Sequence, residues 1–276
     1  MAHSAAGTRG RGPLAAKVPE ITFLFWILKL LTTAAGEATS DYFALHGNLV
    51  AGAAEVAIFV VAVIVQFSVR RYFAAAYWFL ALAIAIFGTG VADAMHLIIG
   101  IPYGGTTVLW AVVLAIIFWA WYRSEGTLSI HSITTTRREL FYWATVFATF
   151  ALGTALGDFT ASVLHLGYLG SGCLFFVVIL IPAVARRLGM NAVAAFWVAY
   201  VVTRPLGASF ADYFSKPHAI SGLNYGDGPT AAVMLALIIV LVGYTAIARY
   251  DIQRPAAIAG PDGTGSDRMS RDAQRA

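Results

Sequence analysis

A tryptophan, a glycine and an aspartate recur four times in this chain, with the glycine ten residues and the aspartate fifteen residues after the tryptophan. The four sets are Trp26/Gly36/Asp41, Trp78/Gly88/Asp93, Trp143/Gly153/Asp158 and Trp197/Gly207/Asp212. Each set lies in a segment apolar enough to cross a bilayer, where a carboxylate is energetically expensive and usually functional. Four carboxylates in one register therefore predict a site that is assembled by internal repetition.

The four aspartates, if they face inward, would form a ring of oxygen ligands of the kind that selects cations. Apolar residues continue beyond Asp93 and Asp158, which places these two acids inside the membrane barrier. The competing interpretation is that the aspartates cap the outer loops at the membrane interface. We favour the intramembrane site.

Further charged residues accompany the aspartates at a similar depth. Glu37 lies four residues before Asp41 on the same helical face, and Glu55 follows in the second span. Arg204 lies eight residues before Asp212, again roughly on its face. The intramembrane acids are Glu37, Asp41, Glu55, Asp93, Asp158 and Asp212, and the intramembrane bases are Lys29 and Arg204. Since the acids outnumber the bases, such a cluster would bind cations or hold protons.

A histidine follows each aspartate within seven residues, but at a different spacing each time. These histidines are His46, His96, His165 and His218. The irregular spacing argues against four equivalent ligands and favours ordinary outer-loop positions. His96, three residues after Asp93, is the best candidate among them for a metal ligand or a proton acceptor.

The candidate site therefore consists of carboxylates with one arginine and one histidine. We predict ion binding by Glu37, Asp41, Glu55, Asp93, Asp158, Asp212 and Arg204. We predict metal ligation by Glu37, Asp41, Asp93, Asp158, Asp212 and His96. Hard oxygen ligands suit Mg²⁺, Ca²⁺ or Mn²⁺. We expect no resident cofactor, only a transported metal cation.

The other two members of the signature have structural interpretations. The tryptophans are placed to form an aromatic belt at the cytoplasmic interface. The glycines permit close contact between helices. The sequence has no phosphate loop, nucleophile elbow or His-Glu-x-x-His motif, and no pairing of a nucleophile with a base stands out, so we do not expect an enzyme.

The composition is that of a polytopic membrane protein. The chain is 59% hydrophobic and only 12% charged, and its mean hydropathy is +0.76. The net charge of +4 comes from basic residues at the ends of apolar runs, so they are topology signals and we expect no nucleic-acid partner. The single cysteine, Cys173, excludes an intrachain disulfide and a multi-thiolate metal centre.

Eight segments are long and apolar enough for transmembrane helices, at about 21–43, 48–69, 73–98, 106–123, 139–164, 169–187, 190–213 and 230–249. Arginines cluster on one side of these spans, at Arg70, Arg71, Arg123, Arg137, Arg138, Arg186, Arg187 and Arg249. The loops on the opposite side carry almost no positive charge, with Lys216 as the exception. The positive-inside rule then places both termini in the cytoplasm of a multi-pass protein of the bacterial inner membrane.

The repeating unit is a hairpin of two spans, so all copies have the same orientation in the bilayer. We predict an all-α transmembrane domain, 17–250, with repeats at about 17–71, 72–124, 139–188 and 190–250. The copies would be parallel repeats about an axis along the membrane normal. A pseudo-fourfold ring is the simplest arrangement, and two pseudo-dimeric halves, 1–125 and 138–250, are the alternative. The ends, 1–16 and 251–276, are expected to be disordered and cytoplasmic.

The repeated segments resemble a bacterial family of four-repeat integral membrane proteins of unknown function, often described as membrane-anchored proteins predicted to regulate amylopullulanase. The similar stretches are Lys17-Val18-Pro19-Glu20, Thr32-Thr33-Ala34-Ala35-Gly36-Glu37-Ala38-Thr39-Ser40-Asp41 and Thr203-Arg204-Pro205-Leu206-Gly207-Ala208-Ser209-Phe210-Ala211-Asp212. The resemblance covers about 17–250 and implies no tested activity.

Three functional hypotheses follow. The first is a transporter of cations, with a divalent metal such as Mn²⁺ as substrate and with proton exchange as an option. The second is a passive cation channel, which is favoured if the aspartates line one continuous pore. The third is a membrane-embedded regulatory or scaffold protein, in which the acids only pair with Lys29, Arg204 and backbone groups. The partners common to all three are membrane lipids, and the sequence carries no signal for an oligomeric state.

Overall fold

The computed structural model describes residues 16–253, and these residues form eight long helices without a β-strand. The helices are α1 (Phe23–Ala44), α2 (Asn48–Ser68), α3 (Ala74–Leu97), α4 (Tyr103–Glu125), α5 (Thr136–Asp158), α6 (Gly167–Arg187), α7 (Ala192–Ser215) and α8 (Asp227–Ala248). Short 3₁₀ turns occur at Ile130–Ser132 and His218–Ile220, and a π-helical turn, Phe159–Val163, directly follows α5. The expected all-α class is confirmed. Of the ends predicted at 1–16 and 251–276, residues 1–15 and 254–276 lie outside the described residues.

Seven of the helices, α2 to α8, are long and apolar enough to span a membrane, which indicates a multi-pass membrane protein. The remaining helix, α1, has a comparable length of 22 residues. Lys29, Glu37 and Asp41 lie within it. Among the eight described helices, the one that falls short of the apolar character of a membrane span is therefore the one that carries Glu37 and Asp41 of the predicted site.

The odd-numbered helices form an inner ring. Helix α1 packs against α3 and α7, and α5 packs against the same two helices. The even-numbered helices lie outside: only 17–22% of the most apolar window in each is buried, against 56–72% in α3, α5 and α7. The even helices therefore present most of their apolar surface outward, as lipid-facing helices do.

The odd-numbered helices run parallel around this ring. Their starts meet at one end, where Tyr77 contacts Trp143 and Tyr142 contacts Trp197. Their last turns meet at the other end, where carboxylates of Asp41 and Asp212 lie together. The two ends of the ring are therefore an aromatic end and an acidic end.

Polar side chains define the starts of three inner helices at the aromatic end. Thr22 and Thr135 accept hydrogen bonds from the backbone N–H groups of Phe25 and Arg138, at 3.2 and 3.3 Å. Asn191 caps α7 by accepting from Val193 N–H at 2.8 Å. Such caps satisfy N–H groups that have no partner inside the helix. They explain why the helices begin at these residues.

Each even-numbered helix packs chiefly against the odd-numbered helix that follows it. Helix α2 packs on α3, α4 on α5 and α6 on α7, and α8 returns to pack on α1. Contacts between the two helices of a sequence hairpin, such as α3 with α4, are much fewer. The sequence repeat and the packing unit are thus offset by one helix.

The segment before α1 and the residues after α8 close the aromatic end. Lys17 pairs with the buried Glu139 at 2.8 Å, and Glu139 also accepts a hydrogen bond from Gln66 at 2.9 Å. Asp251 is buried, accepts a hydrogen bond from the Tyr72 hydroxyl, and its backbone carbonyl accepts from the N–H of Glu20. Burial and the nearby carboxylate raise the pKa of Tyr72 above its usual range. The packed chain therefore extends beyond the predicted end of the domain, to at least Asp251.

Candidate functional site

The four signature glycines lie at the contacts between neighbouring inner helices. A Cβ added to any of them would overlap the side chain that stands seven residues after the tryptophan of the next inner helix. The four pairs are Gly36 with Ala85, Gly88 with Phe150, Gly153 with Arg204, and Gly207 with Thr33. The interpretation that these glycines permit close helix contact is confirmed. The same contact recurs at all four interfaces of the inner ring.

The interpretation of the tryptophans as an aromatic belt is wrong for three of the four. Trp78, Trp143 and Trp197 are only 2%, 6% and 5% exposed. They pack in one aromatic core with neighbours such as Tyr77 and Tyr200. The physical reason is the parallel ring, which brings four helix starts together and leaves a central volume that large rings fill. A belt residue would instead lie at the lipid interface.

Arg204 lies at the centre of the inner ring, where it is completely buried. Its Nη2 donates to Glu37 Oε2 and Thr154 Oγ1, both at 2.6 Å, and also contacts Thr89 Oγ1. Its Nη1 donates to the backbone oxygen of Thr33 at 3.3 Å. All four inner helices therefore contribute to this one guanidinium site. Bonds between ionised groups are the stronger kind of hydrogen bond.

The partners of Arg204 occupy equivalent positions in the repeats. Glu37, Thr89 and Thr154 each stand four residues before the aspartate of their own signature, and Ala208 is the fourth member. Thr89 and Thr154 also lie 3.1 and 3.4 Å from Glu37 Oε2. Three polar residues of one register thus converge on the ring axis. The fourth helix supplies Arg204 from one turn earlier.

Three carboxylates come together beside this centre. Oxygen atoms of Glu37, Asp41 and Asp212 all lie within 4.8 Å of one another, a spacing at which a single metal ion can be held. Glu37 and Asp212 are buried, at 3% and 4% exposed. Within residues 16–253, no hydrogen bond reaches the Asp212 carboxylate, so it is available to a ligand.

The other two signature aspartates lie near this group but not in it. Asp93 and Asp158 are partly buried. They are close enough to interact electrostatically with each other and with Glu37. Two of the four signature aspartates, Asp41 and Asp212, thus belong to the group of three carboxylates, and the other two lie beside it.

Lys216 contacts the carboxylate group at the acidic end of the ring, a role that the sequence did not predict. Its Nζ lies 2.7 Å from Asp41 Oδ2 and 3.2 Å from Asp227 Oδ1. Burial lowers the pKa of Lys216, but the neighbouring carboxylates outweigh it and raise the pKa above the usual lysine range. The sequence feature that could have indicated this role is that Lys216 is a basic residue in loops that carry almost no other positive charge.

Glu55 and His96 stand apart from the axis. Glu55 is 5% exposed and accepts a hydrogen bond from Ser40 at 2.6 Å. His96 stacks on Tyr103, with ring centroids 3.7 Å apart, and its Nδ1 lies 2.9 Å from the backbone oxygen of Ile101. The structure therefore does not bring His96 to the three carboxylates.

Lys29 lies between Arg204 and the aromatic end of the ring, and it has no acidic partner among the described residues. Its Nζ is 3.8 Å from the Phe150 ring centroid and 4.1 Å from that of Tyr200. It is 1% exposed and makes no hydrogen bond to any residue of 16–253. Lys29 is thus held by cation–π contacts alone. Together, Lys29 and Arg204 place two basic side chains between the carboxylates and the aromatic end.

Comparison with known proteins gives a family but no activity. A family model described as Repeat of Unknown Function (DUF347) matches the chain three times, at residues 76–127, 141–188 and 195–250. No curated protein and no solved structure matches. The three matched segments correspond to the second, third and fourth predicted repeats and cover more than half of the chain. The chain therefore belongs to this family of proteins with a repeat of unknown function.

Proposed function

We propose that this protein is an inner-membrane transporter of cations, with a divalent metal such as Mn²⁺ as substrate. The observation that carries the proposal is the group of Glu37, Asp41 and Asp212, whose oxygens lie within 4.8 Å of one another. Clustered carboxylates are the ligand type that Mn²⁺, Mg²⁺ and Ca²⁺ prefer. Ionisable groups within apolar spans mark ion pathways more often than they serve packing.

The proposed architecture is eight spans arranged as four parallel hairpin repeats with pseudo-fourfold symmetry. It is supported by the recurrence of one glycine contact at all four interfaces of the inner ring. In this arrangement both termini are cytoplasmic, because arginines flank the aromatic end. The carboxylate group then lies toward the outer side of the membrane. We include α1 as a span because α3, α7 and α8 surround it and shield its polar groups from lipid.

A transporter fits this geometry better than a passive channel. A channel needs a continuous pore, whereas the Arg204 side chain fills the ring axis and is completely buried. Lys29 adds a second basic side chain between Arg204 and the aromatic end. A cation that moved along the axis would have to displace both groups. Transport would instead require a conformational change in which Arg204 exchanges Glu37 for another partner while the substrate cation binds Glu37.

The ion pairs also supply the argument for a scaffold without transport activity. Glu37 is paired with Arg204 and Asp41 with Lys216, as a purely structural role would require. Asp212 has no such partner within the described residues, which favours the transporter. Proton coupling remains part of the proposal, since carboxylates released by a metal ion can take up protons.

Mn²⁺ flux into proteoliposomes tests the proposal directly. We expect flux with the full chain and a loss of at least about tenfold in Asp212→Asn, since one ligand of a small site is removed. Glu20→Gln, a carboxyl change at the far end of the molecule, is the control and should retain the flux. Absence of flux for Mn²⁺, Mg²⁺ and Ca²⁺ with folded protein would reject transport and leave the scaffold.

A further inference from the structure

A cleft between α1, α2 and α3 opens beside the carboxylate group. Its volume is about 220 Å³, and its lining includes Asp41, Glu55 and Asp93. One water molecule occupies roughly 30 Å³ in the liquid, so the cleft has room for an ion with several waters. Leu97 and Ile98, which are 71% and 66% exposed, lie at its rim near the outer end of α3. The cleft thus joins the outer surface to Asp41, which is itself a member of the axial group.

Basic side chains lie on the ring axis on both sides of the carboxylate group. At the outer end, Lys216 binds both Asp41 and Asp227, and the segment after it folds back on α7. In that segment Leu223 N–H donates to the Tyr213 backbone oxygen at 2.6 Å. At the inner end, the axis holds the side chains of Lys29 and Arg204. The lining residues of the side cleft, in contrast, include no basic side chain. The cleft therefore offers an approach to the carboxylates that a cation can follow without displacing a basic group.

Glu55 of α2 contacts both α1 and α3 within this cleft. One of its oxygens accepts a hydrogen bond from Ser40 of α1 at 2.6 Å. Its carboxyl group rests against Gly90 of α3, where an added Cβ would lie 2.6 Å from Glu55 Cδ. Glu55 thus spans the gap between α1 and α3 from its own position on α2. A glycine at 90 is what leaves space for the carboxyl group.

The packing of the fold does not require an acid at this place. In the third repeat, Ser171 of α6 is fully buried and accepts a hydrogen bond from Ser209 of α7 at 3.0 Å. Ser209 stands twelve residues after Trp197, as Gly90 stands twelve residues after Trp78. A small hydroxyl side chain therefore fills the corresponding interface. The carboxylate of Glu55 is a specialisation of the α1–α2–α3 interface.

We propose that cations reach the axial carboxylates sideways, through the cleft between α1, α2 and α3, and that Glu55 is the selectivity residue of this access route. This inference rests on the proposed transport function. The charge preference of the cleft, however, can be measured without any transport assay. An acidic cleft concentrates cations and repels anions. Glu55 would pass an incoming cation to Asp41, which is shared between the cleft and the axial group.

Thiol labelling measures the charge preference of the cleft. Gly52 lines the cleft and has open space around an added Cβ, so Gly52→Cys in a Cys173→Ser background places one thiol there. A cationic methanethiosulfonate reagent should react about tenfold faster than an anionic one of similar size. Adding Glu55→Gln should lower this preference by several-fold. Equal rates for the two reagents, or a preference that Glu55→Gln leaves unchanged, would overturn the proposal.

Mn²⁺ flux in proteoliposomes tests the route with a matched pair of glycine variants. Gly90→Ala displaces the Glu55 carboxyl group and should lower flux about tenfold, whereas Gly243→Ala in α8, with open space around the added Cβ and outside the cleft, should retain the parent flux. Equal flux in both variants would overturn the side route while leaving the proposed function intact. If the parent moves no cation, the proposed function fails, and the labelling ratios alone decide whether the cleft selects cations.

Discussion

Arg204 Nη2 lies 2.6 Å from Glu37 Oε2, although 167 residues separate the two in sequence. Both side chains are buried, at 0% and 4% exposed. The pair joins the first and last inner helices and closes the ring. An ion pair in such surroundings is costly to break because one charge would remain uncompensated.

Removal of one partner of this pair is expected to destabilise the protein strongly. Glu37→Gln or Arg204→Met should each lower the free energy of unfolding by about 3–5 kcal/mol. The double variant should lose less than the sum, because no unpaired charge remains. Denaturant titration in detergent measures all three. Additive losses would contradict a direct coupling between the two residues.

Lys29 should respond to the same type of substitution in the opposite way. Lys29→Met keeps the side-chain volume but removes an ammonium group that has no hydrogen-bond partner among the described residues. Its cation–π contacts contribute only about 2 kcal/mol, less than the desolvation of a buried charge costs. We expect unchanged or higher thermal stability than the parent, with Arg204→Met as the contrasting case. A large loss in Lys29→Met would show a charge partner that the contacts do not include.

The signature glycines should not tolerate alanine. Gly153→Ala would force a methyl group against Arg204 Cβ and Pro205 Cδ, which lie 2.6 and 3.0 Å from the added atom. Overpacking of this kind costs about 1–3 kcal/mol. Gly243→Ala in α8, with no atom within 4 Å of the added Cβ, is the matched control and should be neutral or slightly stabilising. Melting temperatures in detergent compare the two, and equal values would contradict close packing at Gly153.

The stabilisation from Lys216 should persist to alkaline pH. Its pKa is raised above the ordinary value of 10.5, so the folded state holds the proton more tightly than the unfolded state. The contribution of this proton, about 1 kcal/mol for a partly exposed pair, declines only as the pH rises from 10.5 toward the folded-state pKa. The stability difference between the parent and Lys216→Met should therefore be constant from about pH 8 to about pH 10, where the partner carboxylates are ionised. A difference that vanished within this range would assign the effect to another group.

The predicted spans agree with the helices closely. The first was expected at 21–43 and the helix is Phe23–Ala44, and the sixth was expected at 169–187 and the helix is Gly167–Arg187. Apolar length and flanking arginines carry this information because the bilayer thickness sets the length of a span. The α5 region shows the limit of the approach, since the expected single helix to 164 changes to a π-helical turn after Asp158.

The facing of each helix was harder to predict than its bounds. The sequence indicated that Glu37, Thr89 and Thr154 share a register, but not that they meet around Arg204. A helix that is apolar on all sides gives no moment from which to decide which face points to the axis. The aromatic-belt prediction was wrong for the same reason, since a tryptophan near a helix start can face lipid or a protein core. Lys216 stood out as a basic residue, but its contact with Asp41 was not predicted because a loop residue has no helical register.

Each even-numbered helix packs on the odd-numbered helix that follows it, and this order has a consequence for membrane insertion. Helix α1 carries Lys29, Glu37 and Asp41, and the even-numbered helix that packs on it, α8, is the last to be synthesised. During membrane insertion, Lys29, Glu37 and Asp41 of α1 therefore stay incompletely covered until the remaining seven helices have been synthesised. A circular permutant that begins at α2 and ends with α1 would make every even helix precede its partner directly. Assembly of the helices is thus completed by packing of the last helix, α8, against the first, α1.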